Sequence, residues 1–323
     1  MTALEILSER QQEQAPPAPA PQRAKLMKAV LVRESFSDPD WIFERKLDGV
    51  RCLAVRDDGP VRMLSRNDLD LARRYPEVRQ ALGDAGARRF AVDGEIVAFA
   101  GGRMSFAALA QRSRRPVPVF FYVFDVLWLD GHDVRDLELR TRKRLLRRAL
   151  NFAEPLRLAT HRNGDGEAMF ADACRHGWEG IVAKRAASPY RDARSRDWRK
   201  IKCEAGQELV IGGFTAPRGS RTEFGALLVG YFEGGELRYA GKVGTGFDTD
   251  TLRSLGAGLR SRRRDDSPFA DPDTIRERGV TWVDPELVAQ VGFSEWTTAG
   301  RLRHPRFQGL RDDKPATDVV REQ

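Results

Sequence analysis

Residues 41–51 read Trp41-Ile42-Phe43-Glu44-Arg45-Lys46-Leu47-Asp48-Gly49-Val50-Arg51. The apolar start predicts the end of a β-strand, and Asp48-Gly49 predicts a turn that uses the positive φ open to glycine. Lys46 is therefore expected at the edge where a strand meets a turn. The neighbouring cations Arg45 and Arg51, together with partial burial, are expected to lower the pKa of Lys46 and make its amine nucleophilic. A surface lysine beside a hairpin turn is the alternative that so short a motif leaves open.

Length and charge indicate two domains that differ in character. A chain of 323 residues is long enough for two cores. Residues 1–204 hold 38 Lys and Arg against 29 Asp and Glu, whereas residues 205–323 hold 17 against 18. The basic excess lies in the part that contains Lys46, which favours an anionic partner such as nucleic acid or a nucleoside triphosphate. Nine Lys stand beside 46 Arg, and five of the nine fall in the motifs described here, which suggests a need for ammonium groups.

Cysteine usage gives no sign of a structural framework. Cys52, Cys174 and Cys203 are odd in number and never in Cys-x-x-Cys spacing, so neither disulfides nor a zinc site are indicated. The sequence also lacks an 18-residue apolar run and a signal peptide. We therefore expect a soluble, cytoplasmic protein without membrane contact.

The pattern along the chain predicts an α+β fold. Residues 1–24, rich in Gln, Ala and Pro, are expected to form a disordered, extended tail because this composition cannot bury a core. Residues 25–204 alternate short strands with helices, which predicts antiparallel sheets with flanking helices. Residues 205–323 carry five short strands, Gly-rich turns and one helix, which predicts a small Greek-key barrel of the OB-fold type.

Carboxylates and an aromatic side chain follow Lys46 along the chain. Ser65-Arg66-Asn67 comes after an early strand. In Asp93-Gly94-Glu95, a turn-forming pair embedded in a strand is expected to project Glu95. Residues 117–129 are the most apolar run and predict a buried central strand. Asp125 inside this run requires a partner, and Phe124 beside it can present an aromatic face.

Charged residues recur in the second half. The segment Trp178-Glu179-Gly180-Ile181-Val182-Ala183-Lys184 predicts a strand with an acid at its entry. In Trp198-Arg199-Lys200-Ile201-Lys202, alternation places Lys200 and Lys202 on one face, about 7 Å apart, where they repel each other unless an anion lies between them. Near the end of the chain, Arg311-Asp312-Asp313-Lys314 is expected on a loop after the last barrel strand.

The sequence contains neither a P-loop nor a dinucleotide-binding glycine motif. Taken in order, the motifs resemble those of the covalent nucleotidyltransferases. They are most similar to the ATP-dependent DNA ligases, in particular to the ligase module of bacterial non-homologous end joining, over residues 25–318. The resemblance implies an adenylation domain over 25–204 and an OB-fold domain over 205–323, joined by a hinge at Glu204–Gln207.

The same resemblance implies a role for each motif residue in a reaction with ATP. Lys46 would attack the α-phosphate and form lysyl-AMP, Lys200 and Lys202 would neutralise that phosphate, and Asp313 with Lys314 would orient the pyrophosphate. The remaining positions would hold the nucleotide, a metal or the nick: Glu44 at the adenine edge, Phe124 stacked on the base, Arg51 and Glu95 at the ribose, Glu179 and Glu95 at a divalent Mg²⁺ or Mn²⁺ ion, and Arg66 at the 5′-phosphate of a nick.

The implied substrate is nicked or broken duplex DNA, handled by a monomer in DNA repair. Because a separate N-terminal DNA-binding domain is missing, recruitment by a DNA-end-binding protein is expected. Two alternatives stay open. An RNA ligase or an RNA-capping enzyme uses the same lysine chemistry, and a non-catalytic nucleic-acid-binding protein could keep the fold without the reaction.

Overall fold

The computed structural model describes residues 3–113, 115–203, 205–217 and 222–322. The chain divides into two compact units, Met1–Cys203 and Glu204–Gln323. Glu204, the first residue of the predicted hinge, lies outside the described residues. From Ala205 the chain is already in a strand.

The first unit combines strands and helices, as expected for an α+β fold. A 3-10 helix covers Ala3–Ile6, and the α-helices are α1 Glu9–Glu13, α2 Pro76–Gly83, α3 Phe106–Ala110, α4 Leu139–Ala149 and α5 Gly166–Arg175. The strands are β1 Lys28–Leu31, β2 Asp38–Arg45, β3 Val50–Asp57, β4 Arg62–Ser65, β5 Arg89–Ala100, β6 Arg103–Met104, β7 Val119–Leu129, β8 His132–Asp133, β9 Leu156–Leu158, β10 His161–Gly164, β11 Gly180–Arg185 and β12 Arg194–Lys202.

These strands form two sheets. One has the order β1-β12-β11-β2-β10, and the other has β4-β3-β5-β7-β8 with β6 on β5 and β9 on β7. The consecutive strands β2 and β3 lie in different sheets, so the alternative of a lysine beside a hairpin turn does not apply to Lys46. Residues 46–49 instead carry the chain from one sheet to the other.

Two glycines near the site are needed for close backbone approach and not for a turn. Gly49 does not adopt a positive φ, contrary to expectation, but a Cβ there would lie 2.1 Å from the carbonyl oxygen of Ile96. Gly94 lies within the continuous strand β5, where the pairing with β7 shifts register between Asp93 and Gly94. A Cβ at Gly94 would come within 2.4 Å of the Phe121 ring, so the predicted strand with Asp93-Gly94 embedded in it is confirmed, and glycine is needed there for close packing.

Alternation along the strands separates a packed face from a functional face. In the first sheet Phe43, Ile181 and Ile201 pack against Met169 and Ala173 of α5. Their neighbours in the sequence point to the opposite face.

The outer face of the second sheet packs on α2 and α4. Leu53, Phe124, Trp128, Tyr190 and Trp198 form an apolar layer to which both sheets contribute. The polar site described below lies beside this layer.

The prediction of a disordered tail over residues 1–24 is wrong for residues 3–24. Ala3, Leu7 and Ala15 are buried in the core of the first unit. The carbonyl of Ala18 accepts a hydrogen bond from the indole nitrogen of Trp128 at 2.7 Å. Composition was misleading because small side chains can pack against a surface formed by other residues. Backbone carbonyls of such a segment can also accept hydrogen bonds from that surface, although the segment forms no core of its own. Residues 1 and 2 lie outside the described range.

The expectation that no disulfide forms is also wrong. Cys174 at the end of α5 and Cys203 after β12 are joined by a disulfide. The two residues are 29 apart in sequence, but α5 packs across the sheet that contains β12, which brings their Cα atoms to 5.3 Å. The spacing of the two cysteines in the sequence gives no indication that they lie close together in the fold.

The second unit is built mainly from antiparallel strands. They are β13 Ala205–Thr215, β14 Leu227–Glu233, β15 Glu236–Val243, β16 Arg263–Arg264, β17 Val280–Val283, β18 Val288–Phe293, β19 Glu295–Trp296, β20 Leu302–Arg303 and β21 Arg306–Arg311. One α-helix, α6 Thr249–Arg260, and short 3-10 helices at Pro272–Thr274 and Ala316–Asp318 complete the described part of this unit.

The long strand β13 organises this unit. Its first half pairs with β18 and its second half with β14 and β17, while β18 continues to β21. The hairpin predicted at Glu233-Gly234-Gly235 is confirmed between β14 and β15, with positive φ at both glycines. Leu252, Leu255 and Leu259 of α6 pack on the apolar interior. This is the small barrel-like arrangement that the sequence predicted.

No helix in the described segments of either unit is long and apolar enough to span a bilayer.

Candidate active site

Lys46 lies directly after β2, where the chain leaves the first sheet. Its backbone N–H donates to the carbonyl of Gly180 at 2.9 Å, which fixes the position of its Cα. Its ammonium group donates a hydrogen bond to Glu179 in an ion pair. On the other side of this carboxylate, Nζ of Lys202 lies 3.8 Å from Oε1 of Glu179. We call Lys46, Glu179 and Lys202 the Lys46 cluster.

The electrostatics of Lys46 differ from the expectation. Burial alone would lower the pKa of Lys46, but the carboxylates of Glu179, Asp48 and Glu95 outweigh that effect and raise it. Arg45 does not act on the amine, because its guanidinium lies over the Trp178 ring at 4.4 Å. The predicted lowering by neighbouring cations is therefore wrong, and in this structure Lys46 is held protonated.

Glu44 forms a second cluster, two residues earlier on β2. Its carboxylate is buried and accepts from Nζ of Lys184 on β11 at 2.8 Å. Lys143 on α4 forms an ion pair with the other oxygen, Oε1. We call Glu44, Lys143 and Lys184 the Glu44 cluster. Here burial would raise the pKa of Glu44, but the two lysines together lower it.

Lys184 connects the Glu44 cluster to two aromatic rings. Its Nζ lies 4.2 Å from the ring centre of Phe124 and 4.0 Å from that of Trp198. Burial lowers the pKa of Lys184 to about 8, with a further contribution from Lys143 that Glu44 opposes. Phe124, predicted to stack on a base, is therefore packed against a lysine whose pKa is lower than usual.

Arg51 on β3 is fixed by a buried carboxylate. Its Nε and Nη2 donate to the two oxygens of Asp93, each at 2.6 Å. The hydroxyl of Tyr190 also donates to Asp93 at 2.6 Å, and burial together with Asp93 raises the pKa of Tyr190. The guanidinium carbon of Arg51 lies 4.6 Å from the ring centre of Phe124. Glu95, the other predicted ribose ligand, faces Arg51 across the β3–β5 pair.

Asp125, the carboxylate inside the apolar strand β7, pairs with a buried arginine. Arg142 of α4 donates Nε and Nη2 to its two oxygens at 2.8 and 2.9 Å, and both side chains are fully buried. Arg142 and Lys143 are adjacent in sequence. One turn of α4 therefore supplies a counterion to each sheet.

The other predicted residues occupy separate positions. Lys200 lies on β12 opposite Val182, on the same face as Lys202, and Arg66 directly follows β4. In the second unit, Asp313 is buried and accepts two hydrogen bonds from Arg311, both at 2.8 Å. Nζ of Lys314 lies 3.3 Å from Glu208.

Sequence reasoning missed Asp93, Arg142 and Lys143, and it quoted Lys184 without giving it a role. One available signal concerned Lys143. It is the only lysine of a helix with five arginines, in a chain that otherwise uses lysine sparingly.

Comparison with known proteins gives a consistent result for both units. Residues 21–202 match a family model described as the ATP dependent DNA ligase domain. Residues 220–314 match the model of the ATP dependent DNA ligase C terminal region.

Individual relatives agree with the family models. The chain is 40% identical over 292 residues to the multifunctional non-homologous end joining protein LigD of Pseudomonas aeruginosa, covering 88% of this chain and 35% of that protein. The corresponding DNA repair protein LigD of Mycobacterium tuberculosis is 41% identical over 286 residues, covering 87% and 37%. The chain thus spans about a third of the length of these relatives.

A solved structure supports the fold. The structure of mycobacterial DNA ligase D complexed with ATP and MES has 37% identity and a TM-score of 0.67, covering 93% of this chain and 99% of that one.

Proposed function

The chain belongs to the ATP-dependent DNA ligase family, and from that premise we propose that it seals breaks in duplex DNA by passing AMP from ATP through Lys46 to the DNA end. The observation that carries this proposal is the Lys46 cluster. It pairs one partly exposed amine, that of Lys46, with the Glu179 carboxylate, whose other oxygen faces the cation Lys202, at the junction of two sheets.

In the first step, Nζ of Lys46 attacks the α-phosphorus of ATP. An N–P bond forms, the P–O bond to pyrophosphate breaks, and the amine loses a proton. Lys202 and Lys200 are proposed to offset the charge on the α-phosphate, because phosphoryl transfer depends mainly on positioning and on neutralising developing charge. AMP then moves to the 5′-phosphate of the nick, which Arg66 would hold, and the 3′-hydroxyl finally displaces AMP.

The attack requires Lys46 to leave its ion pair. Its raised pKa means that the protonated form dominates while Glu179, Asp48 and Glu95 surround it. A triphosphate entering this cluster competes with Glu179 for the cations, and Lys46 must give up its proton before the N–P bond forms.

The Glu44 cluster and Arg51 are proposed to bind the nucleoside. Glu44 would contact the adenine edge, Phe124 would stack on the base, and Arg51 with Glu95 would hold the ribose. The fixed position of Arg51 on Asp93, which also accepts a hydrogen bond from Tyr190, supports this assignment, because binding groups are most effective when their geometry is set beforehand.

The residues near Lys46 offer only a few carboxylates as ligands for a divalent cation. Within the described ranges, no group of three or more His, Cys, Asp or Glu is arranged to hold a metal. Glu179 and Glu95 are proposed ligands, which suits Mg²⁺ or Mn²⁺ bound by one or two carboxylates together with phosphate oxygens. When bound, such an ion would supply positive charge to the phosphates.

The biological setting is also a proposal. Because the relatives are named for non-homologous end joining and DNA repair, we propose that this chain acts on broken DNA as a monomer, with a DNA-end-binding protein as a partner. Asp313 and Lys314 are proposed to orient pyrophosphate, and residues 204–207 to act as the hinge.

The test is covalent labelling of the full chain with ATP that carries radioactive α-phosphate, in the presence of Mg²⁺ or Mn²⁺. We expect an acid-labile label on the peptide that contains Lys46, followed by sealing of a nicked DNA duplex. Labelling from GTP alone would favour an RNA-capping enzyme, and preferential sealing of nicked RNA would favour an RNA ligase. Absence of any label would leave only a nucleic-acid-binding role.

A further inference from the structure

Helix α4 pairs with a buried carboxylate on each of the two sheets of the first unit. Arg142 pairs with Asp125 on β7 of the second sheet and also donates to the carbonyl of Ser188 at 3.0 Å. The next residue, Lys143, pairs with Glu44 on β2 of the first sheet. The helix therefore fixes the position of Glu44 relative to Phe124, which precedes Asp125.

The charges in the Glu44 cluster exceed what neutrality requires. A single lysine would balance the Glu44 carboxylate, but two surround it, and the Lys143 side chain is only 7% exposed. Nζ of Lys143 and Oε1 of Glu44 form one ion pair, although an ammonium group can donate three hydrogen bonds and a carboxylate oxygen can accept two. Both atoms thus keep hydrogen-bonding capacity that a bound polar group can use.

We propose that Lys143 is a positioning residue for base recognition, which fixes the Glu44 carboxylate so that it accepts a hydrogen bond from the 6-amino group of adenine. This inference rests on the proposed function, in which Glu44 contacts the adenine edge. Lys143 itself acts through Glu44. Guanine carries an oxygen where adenine carries the amino group, so a fixed carboxylate at this point opposes it.

The test compares three variants of the full chain in single-turnover formation of the lysyl adenylate over a range of ATP concentrations. Lys143→Met keeps the apolar stem and removes the charge, Lys143→Arg restores it, and Arg144→Met is the matched control on the exposed face of α4. We expect Lys143→Met to raise the ATP concentration for half-maximal rate by about tenfold or more, while the maximal rate stays within about threefold. Lys143→Arg should recover most of the loss, and Arg144→Met should match the parent chain.

A second measurement separates recognition of the base from a general structural role. Purine riboside 5′-triphosphate lacks the 6-amino group, so the parent chain should use it less well than ATP, and this preference should shrink in Lys143→Met. An unchanged preference would overturn the proposal, as would an equal fall in maximal rate with both nucleotides.

If Lys143→Met does not fold, the same comparison is made with Lys143→Gln and with the double variant Glu44→Gln/Lys143→Met. In the double variant both charges are gone, and the added effect of the Lys143 change should vanish because the two residues act as a pair. An undiminished effect would contradict the inference. If the parent chain takes no label from ATP at all, the proposed function fails, whereas a labelled parent chain with unaffected variants refutes only the role of Lys143.

Discussion

The Lys46 and Glu44 clusters contain the same three side chains, one glutamate between two lysines, yet they differ in access to water. The side chains of Glu44, Lys143 and Lys184 are 4%, 7% and 3% exposed, whereas in the Lys46 cluster Glu179 and Lys46 are 21% and 19% exposed and only Lys202, at 8%, is comparably buried. Glu44 lies on β2 and Lys46 directly follows that strand, so the central residue of one cluster is two positions from a lysine of the other.

This difference in burial changes what identical groups can do. A closed ion cluster cannot exchange its partners for water or for an incoming anion, so it holds its geometry. A cluster that opens to solvent can release a cation to a phosphate. The comparison therefore supports the proposals of a fixed binding role for Glu44 and a reactive role for Lys46.

The largest expected effect tests the reactive cluster. Lys46→Met should lower formation of the covalent adenylate by about a thousandfold or more, because no other amine takes its place as nucleophile. The free energy of unfolding should change by less than about 1 kcal/mol, since a partly exposed pair contributes little. Mass spectrometry of the ATP-treated peptide measures the first effect and urea unfolding the second. A persistent adenylate on another residue would show that the cluster was misassigned.

The next effect tests the closed cluster. Glu44→Ala leaves two buried ammonium groups without their counterion and should lower the free energy of unfolding by about 3–5 kcal/mol. Glu179→Gln should lower it by less than about 1 kcal/mol. Urea unfolding of both full-length variants makes the comparison, and equal destabilisation would remove the distinction between the clusters.

The smallest effect concerns proton binding at Lys46. Glu179 raises the pKa of Lys46, so Glu179→Gln should lower that pKa and increase the fraction of free amine at a given pH. Between pH 8 and 10, below the ordinary lysine pKa, modification of Lys46 by an amine-specific reagent should become up to about tenfold faster in the variant. The exposed residue Lys25 provides the internal control within the same chain. A slower reaction in Glu179→Gln would reverse the sign of the argument.

Much of the site followed from sequence because chemistry was encoded in local motifs. The motif around Glu179 and the alternation that placed Lys202 beside Lys200 identified residues that the structure brings to Lys46 or to the adjacent strand. The need for a partner at Asp125 could be stated because an isolated carboxylate is not stable in an apolar strand. The hairpin at Glu233-Gly234-Gly235 was likewise specified by its own residues.

What could not be predicted depends on which elements meet after folding. One of the two lysines that reach Glu44, Lys143, comes from α4, about a hundred residues later, and neither segment carries a sequence signal for this contact. The same holds for the disulfide between Cys174 and Cys203 and for the packing of residues 3–24. The pKa of Lys46 was predicted with the wrong sign because Arg45 and Arg51, its neighbours in sequence, point to other partners.

The passage of the chain from one sheet to the other at residues 46–49 has a further consequence. Lys46 belongs fully to neither sheet, so its distance from the residues proposed to bind the nucleoside depends on how firmly the two sheets are packed together. Warming should loosen that packing before it melts either sheet. Heat inactivation of adenylate formation is therefore expected several degrees below the unfolding midpoint, and it should reverse on cooling.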